Sequence, residues 1–164
     1  MIEPPPTAAL PATSPEGRAL MDGMSKDEAL RRILADTKTI AVLGVKPESD
    51  AGKPAHDVPA YMARQGYELV PVPVYYPDVT HILGRPVHRS LVDAARAGKS
   101  VDLVNVFRRP QDIPAHLGDI LAAKPKVVWF QLGIRHEEAA RALEAQGIEV
   151  IQDRCILVEH RRLM

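Results

Sequence analysis

The stretch AVLGVKPESDAGKPAHDV, residues 41–58, combines the end of a strand, a loop and the start of a helix. Its apolar run stops at Gly44, the loop carries Lys46 and Lys53, and helical character follows. Many proteins hold a phosphate group with this arrangement, because the loop amides and the helix N-terminus both favour an anion. The stretch therefore predicts an α/β protein whose loop after the first strand either binds an anion or is a solvated connection with surface lysines.

The loop matches neither of the two standard phosphate-binding fingerprints. A P-loop requires a glycine, four residues and then Gly-Lys-Ser/Thr. Gly52 and Lys53 fit, but Pro47 occupies the place of the first glycine and Pro54 the place of the hydroxyl residue. Without that hydroxyl no side chain binds magnesium, which argues against nucleotide hydrolysis of this type. The dinucleotide fingerprint G-x-G-x-x-G also fails, because Lys46 stands where its second glycine would be.

Outward from this stretch, apolar runs alternate with helical patterns. Strands are predicted at 39–45, 67–74, 101–107, 126–133 and 148–154, with a short edge strand at 85–91. Helices are predicted at 26–36, 54–66, 111–123 and 136–147, and a short one over 155–164. This alternation predicts an α/β fold: an open, doubly wound parallel sheet of the Rossmann type in a three-layer αβα arrangement. Ligands of such sheets bind beyond the carboxyl ends of the strands, where the strand order reverses.

Composition limits the classes of function. The formal net charge is zero, whereas general binders of nucleic acid or membrane surfaces are usually basic. No apolar run approaches the roughly 20 residues that span a bilayer, and the first ten residues show no secretion signal. The single cysteine excludes an internal disulfide. We expect a cytoplasmic protein with a disordered tail over residues 1–24 and one domain over residues 25–164, binding neither nucleic acid nor membrane.

Two predicted strand ends carry candidate binding residues. Arg108 and Arg109 follow the strand at 101–107, where adjacent guanidinium groups suit bidentate phosphate binding. The alternative is that they form surface ion pairs with Asp112 or another acid. Gln131 and Gly133 follow the strand at 126–133, and we interpret Trp129 within that strand as a core residue.

These segments together resemble the small CoA-binding proteins of the Rossmann type. They are also similar to the N-terminal CoA-binding domain of the succinyl-CoA synthetase alpha subunit. The resemblance covers about residues 25–164 and rests on IAVLGVKP, on DLVNVFRRP, on WFQLGI, and on DRC followed by EHRR. It implies coenzyme A as the ligand, with its diphosphate at the loop after the first strand.

The resemblance also implies roles for individual residues. The backbone of Gly44, Val45 and Lys46 would approach the phosphates, and Lys53, followed by Pro54, would supply charge. The adenosine end would lie against Val72, Pro73 and Val74. The remaining contacts would come from the edge of the next strand and from the pantetheine side: Val106, Phe107, Arg108 and Arg109, and Gln131 to Gly133.

This chain departs from the family pattern at two places. Lys46 stands where the family often has serine, and the segment from Pro71 to Val74 reads PVPV where the family often has PVNP. Loss of that asparagine removes a polar group near the adenosine or ribose. We therefore expect weaker binding or a different way of recognising the nucleotide.

The sequence gives no sign of catalysis. The six histidines form no zinc motif, so we expect no metal site; His56, which begins the helix after the loop, is the one placed to touch a ligand. Cys155 follows Arg154 and would either meet the CoA thiol in a mixed disulfide or be buried and inert. We interpret the protein as a module that binds CoA or an acyl-CoA, with a protein partner or as a homodimer.

Three alternative functions stay open. The first is an NAD(P)-dependent oxidoreductase, which the sequence disfavours because the first acid after the strand at 67–74 is Asp78, too late to bind the ribose hydroxyls. The second is an acyl-CoA-linked activity that needs another subunit. The third is a regulatory interaction module in which the nucleotide pocket is vestigial, as the departures at Lys46 and Pro73 would suggest.

Overall fold

Helices and strands alternate along the chain in the computed structural model, which describes residues 25–164. The predicted tail, residues 1–24, lies outside the described residues. The elements in chain order are α1 Lys26–Asp36, β1 Thr39–Leu43, α2 Pro54–Arg64, β2 Glu68–Val72, β3 His81–Ile82, β4 Arg85–Pro86, α3 Leu91–Arg96, β5 Leu103–Val106, α4 Leu117–Ala123, β6 Val127–Phe130, α5 Glu137–Glu144, β7 Glu149–Ile151 and α6 Ile156–Leu163.

Five parallel strands form one open sheet in the order β2-β1-β5-β6-β7. The chain steps outward from β1 to β2, and then returns to place β5 on the other side of β1. The strand order therefore reverses between β1 and β5, which makes their carboxyl ends the switch point of the sheet. The predicted open, parallel α/β sheet is confirmed.

Apolar side chains cover both faces of the sheet. Because successive residues of a strand face opposite sides, Ile40 and Val42 belong to one buried cluster and Ala41 and Leu43 to the other. Helices α1, α2 and α6 supply the first cluster, through Leu30, Ile33, Val58, Met62 and Ile156. Helices α3, α4 and α5 supply the second, through Leu91, Ala94, Ile120, Ala139 and Leu143. This gives the three predicted layers, and Trp129 is fully buried in the first cluster, as predicted.

Two elements differ from their predictions at proline residues. The segment 85–91 contributes only β4, which pairs antiparallel with β3 apart from the main sheet and ends at Pro86. Proline has no N–H to extend a ladder. The predicted helix at 111–123 starts as a 3₁₀ turn, Pro110–His116, and is α-helical only from Leu117. Pro114 inside this turn cannot donate the backbone hydrogen bond that an α-helix would require.

Candidate functional site

The predicted binding residues of β1, β2 and β5 meet at the carboxyl edge of the sheet. The amide of Gly44 donates to the carbonyl oxygen of Val72 at 2.9 Å, and the amide of Phe107 donates to that of Leu43 at 2.9 Å. The ladder thus continues one residue beyond each strand. These bonds hold Gly44, the residue after β1, between Val72, which ends β2, and Phe107, which follows β5.

Gly44 leaves β1 in a conformation that few other residues adopt. Its φ is +89°, in the left-handed region that favours glycine. A β-carbon at this position would lie 2.4 Å from the carbonyl oxygen of Phe107 and 3.2 Å from Cδ of Arg108. The close approach of β1 and β5 at the switch point therefore requires a glycine.

The two amides after Gly44 differ in their availability. The amide of Lys46 donates to the carbonyl oxygen of Ala55 at 3.1 Å. Pro59, four residues after Ala55 in α2, has no N–H with which to claim that oxygen. The amide of Val45, in contrast, has no hydrogen-bond acceptor among residues 25–164. Of these two backbone donors, only the amide of Val45 has no partner among the described residues, and Val45 itself is 1% exposed.

Lys53 is engaged within the loop. Its ammonium group lies 3.1 Å from Oδ1 of Asp50, and the hydroxyl of Tyr76 donates to Oδ2 of the same carboxylate at 2.5 Å. These partners hold the pKa of Asp50 below its usual value, the Tyr76 hydrogen bond most of all. Lys46 is half-buried, and no carboxylate of the described residues lies within ion-pair distance of it. Lys46 therefore brings the less compensated positive charge to the loop.

The start of α2 carries a buried imidazole beside a carboxylate. Pro54 occupies the first helical position, where its missing N–H costs nothing. Nδ1 of His56 lies 2.9 Å from Oδ1 of Asp57, which also accepts the amide of Gly52 at 3.0 Å. Both contacts lower the pKa of Asp57, the one with His56 more strongly. His56 is 8% exposed, and its buried Nε2 has no partner among the described residues.

The two arginines after β5 share one carboxylate. A terminal nitrogen of Arg108 lies 3.4 Å from Oδ2 of Asp112, and Nε of Arg109 lies 3.0 Å from the same oxygen. The ion pairing that the sequence left as an alternative is therefore present. Arg108 also donates from Nε to Nε2 of His116 at 3.2 Å, and its guanidinium carbon lies 5.4 Å from the ring centroid of Tyr75.

The residues predicted to flank adenosine continue from β2. Val72 ends the strand and is paired with Leu43, Pro73 is buried, and Val74 is half-buried. They lie beside the loop after β1, because β2 and β1 are neighbours in the sheet. The structure thus brings Gly44, Val45, Lys46, Val72, Pro73, Val74, Phe107 and Arg108 to one region of the edge.

The comparison with protein families supplies the decisive observation. A model of the CoA binding domain matches residues 38–161, which include every residue of this edge. The chain belongs to the CoA-binding domain family.

Relatives of this CoA-binding domain match it over most of their length. The uncharacterized protein YneT of Bacillus subtilis is 36% identical over 140 residues, which cover 85% of this chain and 97% of that protein. The structure of cell-free ID.343 from Thermus thermophilus is 42% identical with a TM-score of 0.77, covering 85% of this chain and 100% of that one. A hypothetical protein from Pyrococcus horikoshii is 30% identical and has a TM-score of 0.74. The match covers 87% of this chain and 94% of that one.

Gln131 of the CoA-binding domain turns its side chain into the protein. It is 4% exposed, and its Oε1 accepts from Nδ2 of Asn105 and from the amide of Ile156, each at 3.3 Å. The side-chain oxygen is therefore occupied by the fold itself. Gly133 is exposed, and its amide donates to Oδ1 of Asp153 at 2.7 Å.

A cavity of about 390 Å³ opens at the carboxyl ends of β6 and β7, beside these residues. The half-buried thiol residue Cys155 lines it. Leu132 and Val158 are two further lining residues and are 65% and 52% exposed. The cavity is therefore partly apolar and lies two strands away from the loop after β1.

A wider cavity, of about 820 Å³, lies at the opposite, amino edge of the sheet. Several of its charged groups have structural partners: Arg32 pairs with Glu149 at 2.8 Å, and Asp102 accepts the amides of Lys38 and Thr39, each at 3.0 Å. Doubly wound sheets bind their ligands at the other, carboxyl edge.

Residues 25–164 contain neither a candidate metal cluster nor a helix that could span a membrane. No group of three or more His, Cys, Asp or Glu within residues 25–164 could hold a metal ion. Over the same range, no helix is both long enough and apolar enough to cross a membrane.

The two tyrosines that follow β2, Tyr75 and Tyr76, were not predicted as site residues. Tyr76 anchors Asp50, as described above, and Tyr75 lies against Arg108 with 62% of its surface exposed. The available signal was an aromatic pair directly after a strand predicted to end at the ligand edge.

Proposed function

We propose that this protein binds coenzyme A or an acyl-CoA at the carboxyl edge of its sheet, at the switch point between β1 and β5. The match of the CoA binding domain to residues 38–161 is the observation that carries the proposal. In this arrangement the domain, residues 25–164, holds, stores or delivers the cofactor in the cytoplasm, to a protein partner or as a homodimer.

The loop after β1 provides the contacts proposed for the diphosphate. The amide of Val45, which has no acceptor among the described residues, donates to one phosphate oxygen, and the ammonium group of Lys46 offsets the negative charge. Gly44 allows the close approach of β1 and β5 that positions this loop, because it has no side chain to clash with Phe107. Lys53 adds a weaker contribution, since its ammonium group already pairs with Asp50.

The rest of the cofactor follows the edge in both directions in this proposal. The adenosine end lies towards Val72, Pro73 and Val74 on the β2 side. The pantetheine arm passes Val106 and Phe107 and runs towards Gly133. Strands lie about 4.8 Å apart, so an arm that crosses two strands covers about 10 Å before it reaches the cavity beside Cys155.

Calorimetric titration of the purified protein tests this function. We expect CoA to bind with a Kd in the micromolar range, about −8 kcal/mol, while NAD, NADP and ATP give no heat of binding. The absence of any heat of binding for CoA would overturn the proposal and favour an interaction module with a vestigial pocket. Binding of NAD or NADP without CoA would favour an oxidoreductase.

A further inference from the structure

Five side chains form a cluster at the carboxyl ends of β2 and β5, which we call the arginine–tyrosine cluster: Tyr75, Arg108, Arg109, Asp112 and His116. We propose that this cluster recognises the 3′-phosphorylated adenosine of CoA, with the purine stacked on Tyr75 and the ribose 3′-phosphate bound by Arg108 and Arg109. The inference rests on the proposed function and deepens it, because it names the part of the cofactor that provides specificity.

Tyr75 offers a stacking surface beside the region proposed for adenosine. It follows β2 directly after Val74, and 62% of its surface is exposed. A large aromatic side chain that is exposed at the edge of a binding site suits the π-face of a purine base. This tyrosine gives the chain another means of holding the base where it lacks the asparagine of the family pattern.

Arg108 is held in place before any ligand arrives. Its side chain is only 13% exposed and is fixed by the hydrogen bond to His116 and the ion pair to Asp112. Its Cδ lies 3.2 Å from the place of a β-carbon on Gly44, and its guanidinium carbon lies 5.4 Å from the Tyr75 ring centroid. The side chain therefore crosses β1 and links the end of β5 to the end of β2. A cation over one face of an aromatic ring leaves the other face open for stacking.

Arg109 extends the same cluster into solvent. Its side chain is 69% exposed, and the only contact found for it within residues 25–164 is that of its Nε with Asp112. The two terminal nitrogens of its guanidinium therefore remain able to donate. Arginine donors of this geometry bind two phosphate oxygens at once.

The charge of the cluster suits an additional phosphate. Two guanidinium groups face one carboxylate, which leaves one positive charge uncompensated. His116 adds no charge near neutral pH, because burial, and then the nearby Arg108, lower its pKa. Its Nε2 serves as the acceptor for Arg108. A phosphate monoester, which carries more negative charge than a phosphodiester, is the group that this excess favours.

Titrations with CoA and with dephospho-CoA, which lacks only the 3′-phosphate, test the inference. We expect the protein to bind CoA at least about tenfold more tightly than dephospho-CoA, since hydrogen bonds between charged groups are this strong. Arg109→Ala should weaken the binding of CoA but not of dephospho-CoA and reduce the ratio by at least about threefold, with Arg108 retaining part of the preference. Tyr75→Leu should lower the affinities for CoA and dephospho-CoA by a similar factor. Tyr75→Phe should retain both affinities, because the stacking face is kept.

A matched control and the remaining outcomes separate this inference from the proposed function. Arg141→Ala removes another exposed arginine, on α5 and away from both the cluster and the cavity beside Cys155, and should leave the ratio unchanged. Equal affinity of the protein for CoA and dephospho-CoA, or an unchanged ratio in Arg109→Ala, would overturn the inference while the proposed function stands. Failure of both ligands to bind would instead overturn the proposed function.

Discussion

The backbone of Gly44 passes so close to Phe107 that a β-carbon at position 44 would lie 2.4 Å from the Phe107 carbonyl oxygen. The hydrogen bond from the Phe107 amide to Leu43, at 2.9 Å, prevents the two strands from separating at this point. The switch point of the sheet therefore depends on a residue without a side chain.

We expect Gly44→Ala to destabilise the protein by roughly 2–4 kcal/mol, from left-handed backbone strain together with the steric clash. Urea unfolding, followed by the fluorescence of the single tryptophan, Trp129, measures this loss. Gly52→Ala is the matched control: φ is +101°, but nothing lies within 4 Å of the added carbon. It should cost only about 1–2 kcal/mol. Equal losses in the two variants would contradict the importance of the Phe107 contact.

Lys46 and Lys53 should contribute unequally to CoA affinity. We expect Lys46→Ala to weaken binding by about tenfold, because a charge-assisted contact is lost. Lys53→Ala should have a smaller effect, because Asp50 already pairs with that ammonium group. Calorimetry measures both, and Lys126→Ala at the amino edge serves as a control with no expected change. A larger effect from Lys53 than from Lys46 would contradict this account of the loop.

Stability should decrease as the pH falls from 7 to 5. Burial lowers the pKa of His88, His116 and His160 in the folded protein. The unfolded chain then binds protons more readily, so stability is complete above the unfolded pKa of about 6.5 and is lost as the pH falls towards the lower folded values. Urea unfolding at pH 7, 6 and 5 measures this trend. Constant or rising stability over this range would contradict it.

Disulfide formation at Cys155 tests whether the pantetheine arm ends beside this residue. If the arm reaches the cavity of about 390 Å³, the Cys155 thiolate attacks oxidised CoA, forms a mixed disulfide and releases one CoA thiolate. Intact mass spectrometry should show one CoA added per chain and none on Cys155→Ser. Oxidised glutathione at the same concentration should react more slowly. Equal rates with the two disulfides, or no CoA adduct, would mean that the arm does not end beside Cys155.

The sequence was sufficient to predict the sheet and several of the residues that meet at its carboxyl edge. The apolar run before Gly44 and the alternation after it predicted a parallel sheet, because strand and helix periodicities are local properties of the chain. The helix Lys26–Asp36 was also predicted, and in the structure the Ser25 hydroxyl caps its start by accepting the amide of Glu28.

Other features depend on contacts between distant residues and could not be predicted. The amide of Lys46 is not free for a ligand, because it donates to the carbonyl oxygen of Ala55. The side-chain oxygen of Gln131 is likewise occupied, because it accepts from Asn105 and Ile156. No local pattern indicates which buried acceptor a given donor will reach, because that depends on packing between elements. The position of Arg108 against Tyr75 has the same origin, since it joins two strand ends 33 residues apart in the chain.

Titration of the ¹⁵N-labelled protein with CoA, followed by amide NMR spectra, tests the central claim most directly. We predict saturable shifts at the carboxyl edge, largest for the amide of Val45 and clear for Gly44 and Phe107, while Lys38 and Lys126 at the amino edge do not move. Shifts confined to the residues around the amino-edge cavity, or no saturable shifts, would contradict CoA binding at the switch point.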